Sequence, residues 1–195
     1  SPAAVLPSRT MPLGRATSTI VEAVARAVEG QGMKYDSLLE EAAAKARLSR
    51  GKLDRVARID ASADEIHGLL SVLHEWAEKK LAAGTPDLEP AELLLRAEVV
   101  TYIVSRHLGI PNPYSADLVQ YWKGKVRALP TERQKTKALK DMMKTVTRVA
   151  DDLIGTVDLE IDLASQNPKK KIPSKTSRTG TLETGPDLED GMPIL

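Results

Sequence analysis

The side chains best suited to bind a metal ion are two histidines and a glutamate in one segment. His67 and His74 lie seven residues apart, two turns along one helical face, and Glu78 follows His74 by one turn. A compact zinc site on a helix needs imidazoles four residues apart or a further ligand from elsewhere. Ordinary helix-surface histidines explain the spacing better, and we expect no metal and no other cofactor.

No other pattern of residues predicts catalysis. The serines lack the G-x-S-x-G context of an activated nucleophile, and none adjoins a histidine. The glycines form neither G-x-x-x-x-G-K-[ST] nor G-x-G-x-x-G, the phosphate-binding signatures. The sequence contains no cysteine, which excludes disulfides and thiol nucleophiles. We therefore expect a protein that is not an enzyme and has no small-molecule substrate.

Positive charges are concentrated in the second half of the chain. Although the net charge is only +1, residues 123–148 contain nine lysines and arginines against two acids. Several lie one helical turn apart, where like charges repel, and RNA or an anionic lipid surface would relieve that repulsion. The alternative is a solvated face. The candidate polyanion-binding residues are Lys123, Lys125, Arg127, Arg133, Lys137, Lys140, Lys144 and Arg148.

Two aromatic residues precede this basic set. Tyr121 and Trp122 adjoin Lys123, and aromatic rings beside positive charges can stack on the bases of a single strand. The more common role of such a pair is to fill the edge of a core.

A compensating acidic stretch follows the basic one. Residues 151–162 hold five acids and no base: Asp151, Asp152, Asp158, Glu160 and Asp162. Apolar and acidic residues alternate over 157–163, which is the period of a half-buried strand. Such a strand has no partner in a helical chain, so the stretch stays helical, lies extended on the surface or pairs with another molecule. We expect these acids to contact the basic residues of a second copy.

A long amphipathic helix over 131–154 must position most of the basic residues. Apolar residues recur there with helical spacing, and Thr131 with Gln134 forms a capping box after Pro130. The segment 91–108, apolar on more than one face, predicts the most buried helix, with Pro86 or Pro90 able to open it. Cap residues predict the other starts, at Ser18 or Thr19, Asp36, Ser49, Ser62 and Ser115. Glycines predict ends at Gly30, Gly84 and Gly109.

These patterns predict an all-α fold of about seven helices. The predicted organisation is an extended arm (1–17), an N-terminal helical lobe (18–84), a connector (85–90), a C-terminal helical lobe with the basic helix (91–164) and a flexible polar tail (165–195). With 42% hydrophobic residues the chain can bury a sizeable core.

The predicted function is that of a structural or assembly protein that self-associates as a homo-oligomer or polymer and binds RNA or an anionic membrane. A viral matrix or nucleocapsid layer is built this way. The alternative is a helical adaptor whose C-terminal tail recruits a partner. No run of 18 apolar residues occurs and no signal-peptide pattern is seen, which favours an intracellular protein or a virion component. A short basic run at 169–175 resembles a nuclear-import signal.

Overall fold

The computed structural model describes residues 13–58, 61, 64–112 and 116–166. Within these ranges the chain forms seven α-helices and no strand, which confirms the predicted fold class. The helices are α1 (Leu13–Glu29), α2 (Tyr35–Leu48), α3 (Lys52–Ala57), α4 (Glu65–Gly84), α5 (Pro90–Leu108), α6 (Ala116–Arg127) and α7 (Glu132–Gln166). Most of the predicted arm and tail lies outside the described residues, but 13–17 and 165–166 are helical.

Helix α4 lies at the centre of the core. It packs most extensively against α5, and its residues from Gly68 to Glu78 are all buried. Leu69, Leu73 and Trp76 are fully inaccessible to solvent. The prediction that 91–108 is the most buried helix is therefore wrong, because α5 keeps one face half-exposed while α4 is covered on all sides.

The two predicted lobes contribute to one hydrophobic core. A single cluster joins Ile20 of α1 and Leu38 of α2 to Val100 of α5 and Leu153 of α7. Helix α1 packs along α7, and α5 packs on both α4 and α7. The connector at 85–90 thus links two helices that pack directly against each other.

Three of the predicted helix boundaries are confirmed by their hydrogen bonds and backbone angles. The amide of Thr131 donates to Gln134 Oε1 at 3.2 Å, and the amide of Gln134 donates to Thr131 Oγ1 at 3.1 Å. Pro90 opens α5, where its missing N–H costs nothing. Gly109 ends α5 with φ 75°, a left-handed conformation that glycine adopts without strain.

Other predicted helix starts are wrong, whereas α1 and α4 end at Glu29 and Gly84, as the glycines predict. Helix α1 begins upstream of both Ser18 and Thr19, and Asp36 lies inside the first turn of α2. Ser49 closes α2 instead of opening α3, since its hydroxyl donates to the carbonyl of Lys45. Asp64 caps α4, because its carboxylate accepts from the amide of His67 at 2.8 Å. The remaining predicted starts, Ser62 and Ser115, lie outside the described residues.

Helix α7 continues through Gly155 to Gln166, so the alternating segment 157–163 is helical. Val157 is buried and Ile161 packs against the core one turn later. Leu159 and Leu163, which complete the alternation, are 57% and 48% exposed. Of the three alternatives, the helical one is observed, because the same apolar residues also satisfy a one-turn spacing.

No helix in the described ranges combines the length and hydropathy needed to cross a bilayer.

Candidate functional site

Helices α6 and α7 enclose an open groove of about 350 Å³ where the chain turns from one to the other. We call this the α6–α7 groove. Its apolar lining includes Leu139, which is 47% exposed, and Trp122, which also packs against the core. The full lining consists of Trp122, Lys123, Val126, Arg127, Glu132, Lys135, Thr136 and Leu139. A concave surface of this kind offers apolar contact and positive charge together.

Five of the predicted basic residues form a single stripe along α7, which we call the α7 basic stripe. Its members, separated by three or four residues and all exposed, are Arg133, Lys137, Lys140, Lys144 and Arg148. At about 1.5 Å per residue the stripe is roughly 22 Å long. The buried residues of α7, such as Val146 and Leu153, lie on the opposite face. The helical period therefore separates charge from core as the sequence predicts.

The stripe has no acidic partners in the described part of the chain: no carboxylate lies within 4.0 Å of its five cations. On α6, Lys123 and Arg127 are likewise unpaired among these residues. Lys125 reaches the largely exposed Glu89 at 3.5 Å and lies 5.7 Å from the ring centroid of Tyr121. The basic set is thus mostly uncompensated within its own chain.

Arg148 differs from the rest of the stripe. Its guanidinium lies at the C-terminal end of α4, so close that a Cβ built on Gly84 would meet Nη2 at 2.8 Å. A cation at a helix C-terminus interacts favourably with the helix dipole and so stabilises the helix. Arg148 therefore has a structural role besides any contact with a ligand.

The predicted self-association residues are largely engaged within the chain. Asp152 pairs with Lys80 at 2.8 Å, Asp158 with His107 at 2.8 Å, and Glu160 with Arg26 at 3.4 Å. Asp151 and Asp162 are exposed and have no ion-pair partner among the described residues. Only these two acids remain unpaired for contact with a second copy.

A second cluster of charges lies inside the molecule, between α2, α3, α4 and α5. Lys45 donates to Glu75 Oε1, and Arg58 donates to Glu75 Oε2 at 3.1 Å and to Glu78 Oε2 at 2.6 Å. His74 Nδ1 donates to Glu78 Oε2 at 3.0 Å. We call these residues, with Glu98 of α5, the buried charge cluster.

Glu98 completes the cluster from α5. It is 2% exposed, and its Oε1 has no hydrogen-bond partner, like Nε2 of His74. Both residues line a cavity of about 10 Å³ together with Glu75 and Arg58. The cluster contains three carboxylates but only two permanent cations, so its formal charge is −1 when His74 is neutral.

Burial and hydrogen bonding move the pKa values of the three carboxyls in different directions. Burial raises the pKa of Glu98, and the charges of His74 and Arg58 only partly oppose it. Burial also raises the pKa of Glu75. For Glu78, burial acts in the same direction, but the hydrogen bonds from His74 and Arg58 outweigh it and lower the pKa well below its usual range.

The sequence indicates only part of this cluster. His74 and Glu78 meet as their one-turn spacing predicts, whereas His67 lies apart, at the surface, bonded to Asp64 at 2.8 Å. Glu75 and Glu98 were missed. The available signal was an acid inside the apolar stretch of each of two helices, because an acid is expensive to bury unless a partner is present.

Comparisons of this chain with protein-family models, with characterised proteins and with solved structures find no match. The fold and the geometry of these two sites therefore carry the functional argument.

Proposed function

We propose that this protein is a non-enzymatic nucleic-acid-binding protein, and that it binds single-stranded RNA through the α6–α7 groove and the α7 basic stripe. The observation that carries the proposal is the uncompensated stripe on the exposed face of α7. Five cations within roughly 22 Å repel one another, and a chain of phosphates would remove that repulsion while releasing its own counterions.

The shape of the groove favours RNA over a lipid surface. Its apolar residues Trp122 and Leu139 line a concavity between two helices, which a single strand can enter and a flat bilayer surface cannot. Next to the groove lining in sequence, Tyr121 is 38% exposed beside the cation of Lys125 and offers a ring face for base stacking. Binding of a single strand by a positive groove with aromatic platforms needs no sequence-specific contact.

Self-association is the second part of the proposal, and it connects the protein to layers such as a nucleocapsid or matrix. Its support is the exposed pair Leu159 and Leu163, one turn apart on α7, with the unpaired Asp162 nearby in sequence.

A chain ending at Gln166 tests whether residues 167–195 take part, since it keeps α7 and the buried Val157 intact. Light scattering of the full-length chain and of the shortened chain at several salt concentrations compares the size of their assemblies. Equal assembly of the two would assign the self-association contact to the helices.

Fluorescence anisotropy with a labelled oligouridylate tests the RNA part, and co-sedimentation with phosphatidylserine/phosphatidylcholine vesicles tests the lipid alternative. The proposal expects salt-sensitive binding to the oligonucleotide and weaker binding to vesicles. Binding to vesicles alone would assign the basic surface to a membrane. Binding to neither would leave the adaptor alternative, in which the stripe is solvated surface.

Tyr121 provides a matched pair of variants for the same assay. Tyr121→Ala removes the ring and should weaken RNA binding by about 1 to 3 kcal/mol, the contribution of one stacked base. Tyr121→Phe keeps the aromatic face and should bind as the wild type does. Equal loss in both variants would point to a role for the hydroxyl instead of stacking.

A further inference from the structure

The apolar row of α7 continues beyond the core that it helps to build. At intervals of three and four residues, the buried members of the row are Val146, Ala150, Leu153 and Val157. Leu139 and Met143 extend the same row towards the N-terminus of the helix, but they are 47% and 50% exposed. The N-terminal third of α7 therefore carries an apolar surface that the described part of the chain leaves half-exposed.

This surface is continuous with the α6–α7 groove, because Leu139 also lines the groove. The cations of the groove lining are Lys123, Arg127 and Lys135. The lining also contains the acid Glu132, which pairs with Lys135 at 3.5 Å. Three cations against one acid give the lining a net charge of +2. The surface suits a ligand that combines apolar side chains with negative charge.

The sequence contains such a segment at 182–195, outside the described residues. It holds four acids and no base, and its acids and large apolar residues are Leu182, Glu183, Asp187, Leu188, Glu189, Asp190, Met192, Ile194 and Leu195. We propose that residues 182–195 of a second copy of this chain bind in the α6–α7 groove and over Leu139 and Met143. This contact rests on the proposed self-association and identifies both of its surfaces.

The length of chain between α7 and this segment favours a second copy over the same one. Leu139 and Gln166 lie 27 residues apart on one helix, so roughly 40 Å separate the groove from the end of α7. A flexible chain of 15 residues, the length of 167–181, has a root-mean-square span of roughly 20 to 23 Å. Binding within one chain would stretch that connection to roughly twice this span, whereas a neighbouring copy approaches the groove without that cost.

The segment and the groove are different surfaces, so the contact between copies is heterologous and can propagate into a polymer. In the groove, the segment would compete with the bases of RNA. The α7 basic stripe lies on another face of the helix and stays open to phosphates while the groove is occupied.

The absence of cysteine from the sequence allows disulfide trapping in the full-length chain. Thr136→Cys places a thiol on the exposed groove lining, and Gly191→Cys places one in the segment without removing an acid or a large apolar residue. Under mild oxidation the disulfide between these positions should form at least about tenfold faster than in the control pair Arg47→Cys and Gly191→Cys, because docking raises the local thiol concentration. Adding Leu188→Ala and Met192→Ala should remove most of the difference.

Mass spectrometry of a mixture of unlabelled and ¹⁵N-labelled chains identifies the linked positions and shows whether they belong to two chains. A second measurement uses the wild type and does not depend on the folding of a variant. A carbodiimide, which joins an amine directly to a carboxylate, should link Lys123 or Lys135 to an acid of 182–195 in another chain.

Links within one chain would overturn the assignment to a second copy. Disulfide formation no faster than in the control pair, or absence of the carbodiimide link, would overturn the contact itself. Light scattering of the wild type separates these failures from a failure of self-association. A wild type that assembles without these links contradicts only this contact, whereas a wild type that stays monomeric contradicts the proposed self-association as well.

Discussion

At the scale of single residues, Glu98 holds a buried carboxyl with an unsatisfied oxygen. Burial raises its pKa in the folded protein above the unfolded value. Such a group contributes most to stability below its unfolded pKa, and that contribution is lost as the pH rises through the folded pKa. Above its folded pKa, ionised Glu98 therefore destabilises the fold.

Glu98→Gln should stabilise the protein at about pH 7 by about 1 to 3 kcal/mol, because it removes a carboxyl group whose charged form is disfavoured by burial. The gain should shrink as the pH falls below the ordinary range of a glutamate carboxyl. Urea denaturation at both pH values measures it, with the exposed Glu40→Gln as the control. A variant less stable than the wild type at neutral pH would show that the Glu98 charge is compensated.

The difference between His74 and Glu98 shows what the sequence can predict at this scale. His74 and Glu78 lie one turn apart on one helix, so their contact follows from helical geometry alone. The approach of Glu98 depends on how α5 packs against α4, and no local pattern encodes that packing. Local pairs were therefore predictable, and contacts between helices were not.

At the scale of elements, α7 extends well beyond the end predicted at residue 154. The residue at the predicted break is Gly155, but nothing lies within 4 Å of a Cβ built there, so it neither caps the helix nor makes a close packing contact. The segment beyond it is helical because Val157 and Ile161 reach the core one turn apart. The sequence fits both a strand period and a helical period, and the packing of Val157 and Ile161 against the core favours the helix.

Gly155→Ala should stabilise the protein by about 0.5 to 1 kcal/mol, since glycine in a helix interior carries an entropic cost and the new methyl group meets no neighbour. Thermal denaturation measures the change. Gly124→Ala in α6 is the matched control, because its Cβ would also be free of contacts. A gain at Gly124 with a loss at Gly155 would contradict a continuous α7.

Of the candidate site, the basic stripe could be predicted from the sequence and the groove could not. The basic stripe follows from the helical period, which places Lys137, Lys140 and Lys144 opposite the apolar face. The groove was not predictable, because it depends on the angle between α6 and α7 that brings Trp122 towards Leu139. A charged face on one helix can be predicted from the sequence, whereas a groove depends on how two helices pack against each other.

At the scale of the whole molecule, the helices of both predicted lobes share one core. We expect a single cooperative unfolding transition, with equal calorimetric and van't Hoff enthalpies. Leu73→Ala, in the middle of α4, should cost about 2 to 5 kcal/mol and shift that whole transition. Circular dichroism and calorimetry of the wild type and of Leu73→Ala measure the number of transitions and their shift. Two separate transitions, only one of them moved by the substitution, would indicate independent lobes.

The central claim concerns the α7 basic stripe, and charge reversal within it is the most direct measurement. The triple variant Lys137→Glu, Lys140→Glu and Lys144→Glu changes three exposed, unpaired cations on the face opposite the core. The matched control reverses three exposed cations near the α2–α3 junction, Arg47→Glu, Arg50→Glu and Lys52→Glu. Both variants carry the same net charge.

Anisotropy titrations of labelled oligouridylate at several salt concentrations give the affinity and its slope against the logarithm of salt concentration. The stripe variant should lose most of its affinity, and its slope should become shallower by about 2, since each phosphate contact contributes roughly 0.7. The control variant should keep a slope close to that of the wild type. Equal slopes in the two variants would contradict RNA binding at the stripe, because the effect would then follow net charge alone.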